Sequence, residues 1–438
     1  MSKLRRVLVV GAGAAGLSAA WYLKRKGYQS VDVVESSDRV GGKCKSIKHE
    51  GLPYEMGAFT VTPGYRNVLK LAKTFGVELE TQPPRHAFSM RRRQVMDIKE
   101  AMLKDFTFLT LFLSVLRYYW KLLRYRSALT KPGLASEGSK KTYDELSQPF
   151  QKWLVDNKML GLQGLFRITI TDMGYGRFSE IPTLYVLKYL NFWNFTTLLL
   201  YGAGLGKNMP KRFKHGFESL WQAVATSLNV SLSTDIVSIK RGENIQVELS
   251  VRGDTSNQTK KETRLYDAII IACPPDRLSD VMDFDGQEQA LVSQFRYSPY
   301  VVNLFDVTGM PNEVIGAINE EQVGAPKEIM RPWAKGDGAV TYSVQKDNLT
   351  DEKIIGHATN YITNLYADYP VVVNEHVHTE KWAYFPHVSS EQIGAGNFYF
   401  KFEQLQGKKD TYYTGSYLSF ETVELAVSYS KHIVSKFF

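Results

Sequence analysis

The sequence predicts an α/β fold in which a Rossmann-like dinucleotide-binding domain is interleaved with a second domain of mixed sheet and helical cap. An apolar run over residues 7–10 leads into the glycine-rich turn 11–16 and a helical stretch, which is the order of a dinucleotide-binding unit. A second apolar run, residues 31–34, supplies the next strand. Dense apolar and aromatic stretches later in the chain, together with β-rich segments, indicate a second domain built from both helices and sheet.

Each glycine of the first turn has a separate task. Gly11 permits the tight turn, Gly13 lets the backbone approach a diphosphate, and Gly16 lets the helix pack closely on the strand. The free N–H groups at the start of the helix then face the diphosphate. Glu35 follows the second strand about 20 residues beyond the turn, where an acidic residue accepts hydrogen bonds from ribose hydroxyls. Strand, turn, helix and acid together predict dinucleotide binding.

The composition is that of a globular protein with an ample core. With 438 residues, 44% of them hydrophobic, the chain has room for two domains or for one large interleaved body. Two cysteines are too few for a disulfide framework, and the first apolar run is too short for a secretion signal. We therefore expect a cytoplasmic location.

The net charge is +9, and the basic residues are unevenly placed. They form three clusters: Arg85, Arg91, Arg92 and Arg93; Arg117, Lys121, Arg124 and Arg126; and Lys207, Lys211, Arg212 and Lys214. Such clusters serve nucleic acid, membrane surfaces or anionic substrates, or they form a solvated basic face. No nucleic-acid-binding motif accompanies them. We therefore expect no nucleic-acid partner and keep the other three interpretations open.

Residues 103–125 form a stretch that is dense in apolar and aromatic side chains and closes with Arg117 and Lys121. The stretch is too short, and charged too soon, to span a bilayer. Two interpretations stay open: a buried helix of the cap, or an interfacial helix that dips into lipid with its basic residues at the headgroups. The second interpretation implies peripheral membrane contact.

The patterns along the chain predict five segments. The dinucleotide-binding domain takes residues 1–90, 211–285 and 406–438, the helical cap 91–210, and the sheet of the substrate domain 286–405. A short amphipathic helix is expected over residues 66–75, and the aromatic stretch 172–206 is either core or the lining of an apolar tunnel. No metal site is predicted, because the eight histidines show no ligand spacing.

Residues 35–43 form an ExxxRxGGK pattern. It resembles the second glycine motif of FAD-dependent flavoproteins of the amine-oxidase type, in which the glycines let the chain pass the ribityl phosphate and basic side chains meet the diphosphate. A turn with solvated charges is the alternative. Five further segments resemble the FAD-dependent polyunsaturated fatty acid double-bond isomerases, a linoleate-isomerase type within the flavin-containing amine oxidase superfamily: residues 54–58, 174–176, 185–192, 384–390 and 429–431.

The resemblance implies FAD as the cofactor and an amine-oxidase-type flavoprotein fold. It assigns FAD binding to these positions: Gly11, Gly13, Ala14, Ala15, Gly16, Glu35, Ser36, Arg39, Gly41, Gly42, Lys43, Gly57, Ala58, Val237, Ala272, Gly415, Ser416, Thr422 and Val423. At Gly57 a side chain is expected to collide with the flavin ring. Ser416 departs from the family pattern, because many members carry an acid after the glycine of the last strand.

The resemblance also implies a small-molecule lipid substrate, a free unsaturated fatty acid. It assigns substrate binding to Arg85, Phe192, Phe195, Leu198 and Tyr384, with Arg85 as the anchor of the carboxylate, or His86 if the register differs by one. The oligomeric state is left open.

The chemistry implied by the resemblance needs no catalytic side chain. FAD takes a hydride at N5 from the methylene between two cis double bonds and returns it to the far end, with no net redox change. The protein then has only to hold the acyl chain at the correct depth. An oxidase or dehydrogenase of an amine or specialised metabolite, reoxidised by oxygen, is the alternative, since both activities use the same hydride acceptor.

Overall fold

We describe the protein from a computed structural model, over residues 4–89, 94–97, 107–134, 140–203, 205, 210–253, 259–318, 323–345, 349–366, 368, 370–395 and 397–438. Residues 91–93 and Lys207 of the basic clusters lie outside this part of the chain, as do residues 103–106 of the apolar stretch.

The strands range from three to 16 residues in length. They are β1 Val7–Val10, β2 Val31–Val34, β3 Ser46–His49, β4 Leu52–Glu55, β5 Leu79–Thr81, β6 Arg85–Ser89, β7 Gln94–Met96, β8 Lys211–Phe213, β9 Asn229–Ser231, β10 Thr234–Arg241, β11 Ile245–Arg252, β12 Thr259–Tyr266, β13 Ala268–Ile271, β14 Arg296–Thr308, β15 Val314–Ile318, β16 Pro326–Met330, β17 Gly338–Val344, β18 Val372–His387 and β19 Thr411–Tyr413.

The helices concentrate between β7 and β8 and near the end of the chain. They are α1 Ala14–Arg25, α2 Arg66–Thr74, α3 Phe108–Arg124, α4 Arg126–Leu129, α5 Lys140–Ser147, α6 Phe150–Asp156, α7 Gln163–Ile170, α8 Thr183–Tyr189, α9 Phe192–Gly202, α10 Glu218–Ala225, α11 Gly286–Val292, α12 Asp351–Thr363, α13 Ser390–Ile393, α14 Phe398–Glu403, α15 Ser416–Ser419 and α16 Val423–Phe437.

A five-stranded parallel sheet forms the dinucleotide-binding domain, in the order β19-β13-β1-β2-β9. Strands β1 and β13 are fully buried runs of apolar, mostly β-branched residues, as expected for parallel strands covered on both faces. Helix α1 packs against α16, and the Ser430 hydroxyl donates to the Ala15 carbonyl at 2.9 Å. The predicted α/β fold and its first strand-turn-helix unit are confirmed.

A seven-stranded mixed sheet forms the other large layer, in the order β18-β14-β17-β16-β15-β6-β7. Strand β6 pairs in parallel with β15, although the sequence placed it in the first dinucleotide-binding segment, which it ended at residue 90. Pro83 and Pro84 explain the difference: they lack backbone N–H groups, so the pairing of β5 ends before them and the chain enters the other sheet. The other segment bounds stay predictions.

Helix α3 occupies most of the predicted apolar stretch and begins at a Thr107 cap, whose side chain accepts from the Thr110 N–H. One side of the helix packs into the core through Tyr118 and Leu122, while another side exposes large apolar residues to solvent. The helix is therefore half buried. None of the helices in the described ranges is long and apolar enough to cross a membrane.

Candidate active site

A cavity of about 630 Å³ runs from the carboxyl ends of the parallel strands to the seven-stranded sheet. Ligands of open α/β sheets bind at the carboxyl ends of the strands. The predicted FAD-binding residues that line the cavity are Gly11, Gly13, Ala14, Ala15, Glu35, Ser36, Arg39, Gly41, Gly42, Lys43, Gly57, Ala58, Ala272, Gly415, Ser416, Thr422 and Val423. Gly16 and Val237 do not line it.

The glycine-rich turn has the geometry that its three glycines predict. Gly11 has a φ of +100°, which favours glycine. A Cβ on Gly16 would lie 1.8 Å from the Gly11 carbonyl oxygen, so only glycine lets the helix approach the turn. At Gly13 the nearest atom to such a Cβ is the Cα of Gly42, at 3.8 Å. The space beside Gly13 is therefore not taken by protein and opens towards the cavity.

Glu35 closes the end of β2 and belongs to the cavity wall. Its carboxylate accepts hydrogen bonds from the N–H groups of Ala12 at 2.8 Å and Ser37 at 3.0 Å. These bonds hold the side chain against the glycine-rich turn. Val237 is the extra residue of a bulge in β10, and its neighbour Ile236 lines the cavity.

Both basic residues of the second glycine motif have acidic partners. The Lys43 ammonium lies 2.8 Å from the Glu421 carboxylate and 5.7 Å from the centroid of the Tyr384 ring. Arg39 lies 3.6 Å from Glu218. The two side chains therefore form part of the cavity wall, each beside its acidic partner, and their contact with a diphosphate stays a prediction.

The structure adds to two expectations about single residues. A Cβ on Gly57 would lie 2.0 Å from the backbone carbonyl oxygen of Lys43, so the protein itself already requires glycine there. The collision with a flavin ring stays a prediction. Ser416, where many relatives were expected to carry an acid, donates its hydroxyl hydrogen bond to Glu421 at 2.7 Å. Glu421 also lines the cavity, so a carboxylate is present five residues later in the chain.

Tyrosines form the wall of the cavity at the seven-stranded sheet. The rings of Tyr300 and Tyr384 stack with centroids 5.1 Å apart, and Tyr175 stacks on Tyr384 at 5.6 Å. Burial raises the pKa of Tyr189 to about 12 and those of the other three well above their usual range. These phenols are therefore neutral at physiological pH. They present flat apolar faces to whatever occupies this end of the cavity.

A buried charged cluster borders the same end. Asp172 and Glu328 line the cavity, and the guanidinium of Arg85 forms an ion pair with Glu328. Burial raises the pKa of Asp172 to about 8, although Arg85 opposes that shift. One carboxyl oxygen of each acid is buried without a hydrogen-bond partner among the described residues. Arg85 does not line the cavity and already has a carboxylate partner, so its role as the anchor of the substrate carboxylate stays a prediction that these contacts do not support.

The predicted substrate residues of α9 lie elsewhere. Phe195 is fully buried, with its ring centroid 4.2 Å from that of Tyr118 in the core of the cap, while Phe192 is half exposed. Leu198 packs against that core. Only Tyr384 of the predicted substrate set lines the cavity. An aromatic stripe at helical spacing usually packs into a protein core. Of the two interpretations given for residues 172–206, the core is the one that describes Phe195 and Leu198 of this helix.

The residues present fit a bound dinucleotide. The open side of Gly13, the Glu35 carboxylate and the start of α1 all face one continuous cavity, which then reaches the tyrosine wall.

Within the described residues, one group brings three potential metal-ligand atoms together, namely His49, Glu50 and Asp306. In that group, Asp306 already accepts from Asn374 at 2.7 Å.

Comparisons with known proteins agree with this geometry. A family model described as flavin containing amine oxidoreductase matches residues 14–431. The chain is 24% identical to beta-cyclopiazonate dehydrogenase of Aspergillus flavus, over 99% of this chain and 92% of that protein. It is 38% identical to the polyenoic fatty acid isomerase of Ptilota filicina over 71 residues, which cover 16% of this chain and 14% of that protein.

Two solved structures share the fold over nearly their whole length. A CLA-producing fatty acid isomerase from P. acnes superposes with a TM-score of 0.86 at 24% identity, and the match covers 100% of both chains. Wild-type putrescine oxidase with bound putrescine superposes with a TM-score of 0.71 at 16% identity, over 99% of this chain and 98% of that chain.

Proposed function

Because this chain belongs to the flavin containing amine oxidoreductase family and is an FAD-dependent enzyme, we propose that it isomerises a polyunsaturated fatty acid to a conjugated diene. When bound, FAD supplies a hydride acceptor that can also return the hydride, which shifts a double bond with no net redox change. The proposal also draws on the two isomerases among the similar proteins.

The tyrosine wall is the observation that carries the proposal. Tyr175, Tyr300 and Tyr384 line the cavity with rings that stack one on the next. Stacked neutral rings suit an unsaturated acyl chain, which offers methylenes and double bonds but few hydrogen bonds. Their raised pKa values keep the phenols protonated, so these side chains do not release a proton at physiological pH. The residues' task is to exclude water and hold the chain in place.

Asp172 replaces Arg85 as the proposed contact for the polar end of the substrate. Its carboxyl borders the cavity, and its pKa of about 8 keeps it protonated at neutral pH. A protonated carboxyl can donate a hydrogen bond to the carboxylate of a fatty acid. The ion pair of Arg85 and Glu328 lies beside it and adds no net charge.

A second candidate function is the oxidation of an amine. The carboxyls of Asp172 and Glu328 favour a cationic group when Asp172 is ionised, and putrescine oxidase shares the fold. The two functions differ in the charge of the substrate, which is a carboxylate for a fatty acid and a cation for an amine. They also differ in that only the oxidase needs oxygen.

The test is an incubation of the FAD-loaded enzyme with linoleate in the absence of oxygen. The proposal expects conjugated-diene absorbance to rise over many turnovers while the flavin spectrum stays oxidised. Putrescine and other amines, assayed in air for hydrogen peroxide, form the parallel arm. Peroxide from an amine, with no diene from linoleate or other polyunsaturated acids, would establish the oxidase instead.

A further inference from the structure

Helix α3 carries a broad apolar face that no described part of the chain covers. Seven of its large apolar side chains are exposed, with between 37% and 78% of their surface accessible: Phe108, Leu109, Phe112, Leu113, Leu116, Trp120 and Leu123. Single exposed apolar residues are ordinary on protein surfaces, whereas a contiguous set marks an interaction site.

The seven side chains form one stripe. At about 100° per residue, they fall within about 140° of the helix circumference. The opposite side packs into the protein through Ser114, Tyr118 and Leu122, which are buried. The exposed stripe is thus not the core-facing side of a displaced helix, because that side is already occupied.

The stripe continues onto the neighbouring helix α9. The ring of Tyr119 lies 5.2 Å from that of Phe192, and its hydroxyl is 2.7 Å from Thr196. Phe192 and Trp193 are both about half exposed. We call the stripe together with these two residues the α3 face.

The charged side chains that helix α3 itself carries are all basic. Arg117 and Arg124 are exposed along one edge of the stripe, and the residues of α3 include no acidic side chain. Arg124 also forms an ion pair with Glu145 at 2.7 Å, so Arg117 carries more of the positive charge of this edge. The guanidinium of Arg66 lies 4.8 Å from the centroid of the Trp193 ring at the α9 end. An apolar stripe with tryptophans and a basic edge fits the boundary between acyl chains and anionic headgroups.

The geometry points to the α3 face as a docking surface for the anionic surface of a lipid bilayer, on which the helix lies without crossing it. This inference does not rest on the proposed isomerase activity. Helix α9 also adjoins the cavity wall, because Asn194 is in close contact with Gly64, and Thr62 and Tyr65 on either side of that glycine line the cavity.

The test is flotation of the FAD-loaded protein with vesicles of phosphatidylcholine, with and without added phosphatidylglycerol. We expect the protein to float with the anionic vesicles. A variant carrying Phe112→Gln, Leu116→Gln and Leu123→Gln should bind at least about tenfold more weakly, because it loses three side chains that enter the acyl region. Retained flavin absorbance shows that the variant is folded.

A matched control removes three exposed apolar side chains from other faces: Leu265→Gln, Val372→Gln and Phe400→Gln. This control should bind vesicles as the wild type does. Arg117→Gln should weaken binding to anionic vesicles and reduce its sensitivity to salt. The inference is overturned if the wild type does not float, if the control loses binding as fully as the α3 variant, or if the α3 variant only converts a dimer in solution to monomers.

Discussion

The protonation of Asp172 yields a prediction that separates the two candidate functions. Asp172 is buried, borders the cavity, and has one carboxyl oxygen without a hydrogen-bond partner among the described residues. Burial is the main cause of its raised pKa, the positive charge of Arg85 lowers it, and Glu328 raises it further. The substitution Asp172→Asn keeps the shape and a hydrogen-bond donor but removes the titration.

The magnitude follows from the pKa of about 8. If only the protonated form receives a fatty-acid carboxylate, the competent fraction falls roughly tenfold between pH 7 and pH 9. The apparent Kd for linoleate should therefore rise by about that factor in the wild type. In Asp172→Asn it should stay nearly constant, because the amide does not ionise. An amine substrate would show the opposite sign, since ionised Asp172 attracts a cation.

The assay is a titration of the FAD-loaded enzyme with linoleate at several pH values, followed by the change in the flavin absorbance spectrum. Rates of diene formation at low substrate should show the same pH dependence. Tyr175→Phe, at a neutral phenol of the same wall, is the matched control and should keep the wild-type pH dependence. Equal pH dependence in the wild type and Asp172→Asn would refute the assignment of Asp172 to the polar end of the substrate.

Three further predictions concern the cofactor site and the buried acids. Gly13→Val should abolish FAD binding without loss of the fold, because the space beside Gly13 is open, whereas Gly16→Ala should lower the melting temperature itself. Flavin absorbance measures the first effect and circular dichroism the second. A Gly13→Val variant that is both colourless and unfolded would contradict the first expectation. Glu328→Ala should destabilise the protein by about 3–5 kcal/mol, because it removes the ion-pair partner of the buried Arg85 guanidinium. Adding Arg85→Met should recover much of this loss in denaturant unfolding, and an unchanged midpoint for the single variant would refute the pairing. Burial raises the pKa of Glu55 to about 8, so the folded state holds a proton that the unfolded state releases. The free energy of unfolding therefore falls as the pH rises from the pKa of Glu55 in the unfolded chain towards 8. Glu55→Gln should raise stability at neutral pH and flatten its pH dependence, whereas a large destabilisation would show that the carboxylate form is the native one.

The cofactor end of the site was predictable because its parts are local in sequence. Gly11, Gly13 and Gly16 lie within one turn. Their spacing predicts both the positive φ of Gly11 and the close approach of the helix at Gly16 to the turn, and the structure shows both. Glu35 follows at the end of the adjacent strand. Each of these positions is constrained by its immediate neighbours, so a single sequence carries the information.

The substrate end was not predictable in the same way. Tyr300 and Glu328 lie in strands β14 and β16 of the seven-stranded sheet, whereas Asp172 lies in the turn after helix α7, so the three residues meet only in the folded protein. The pairing of Arg85 could not be predicted for the same reason, because its partner Glu328 is 243 residues away and no local sequence pattern indicates it. For α9, an apolar stripe predicts that the helix buries one side, but it does not indicate whether that side faces a cavity or the core.

The order of the parallel sheet has a consequence for the synthesis of the protein on the ribosome. Its outer strand β19 pairs with β13, and Gly415, Ser416 and Thr422, which complete the cavity wall, follow it in the chain. A nascent chain that has reached only α12 therefore holds both glycine motifs but lacks one edge of the sheet and part of the wall. Pairing between strands that are distant in the chain is slow to form, so β13 keeps an unpaired edge until translation supplies β19. An unpaired, apolar strand edge is prone to aggregation during that time. Supply of FAD during translation should therefore do little, and its supply after release should govern the yield of folded enzyme.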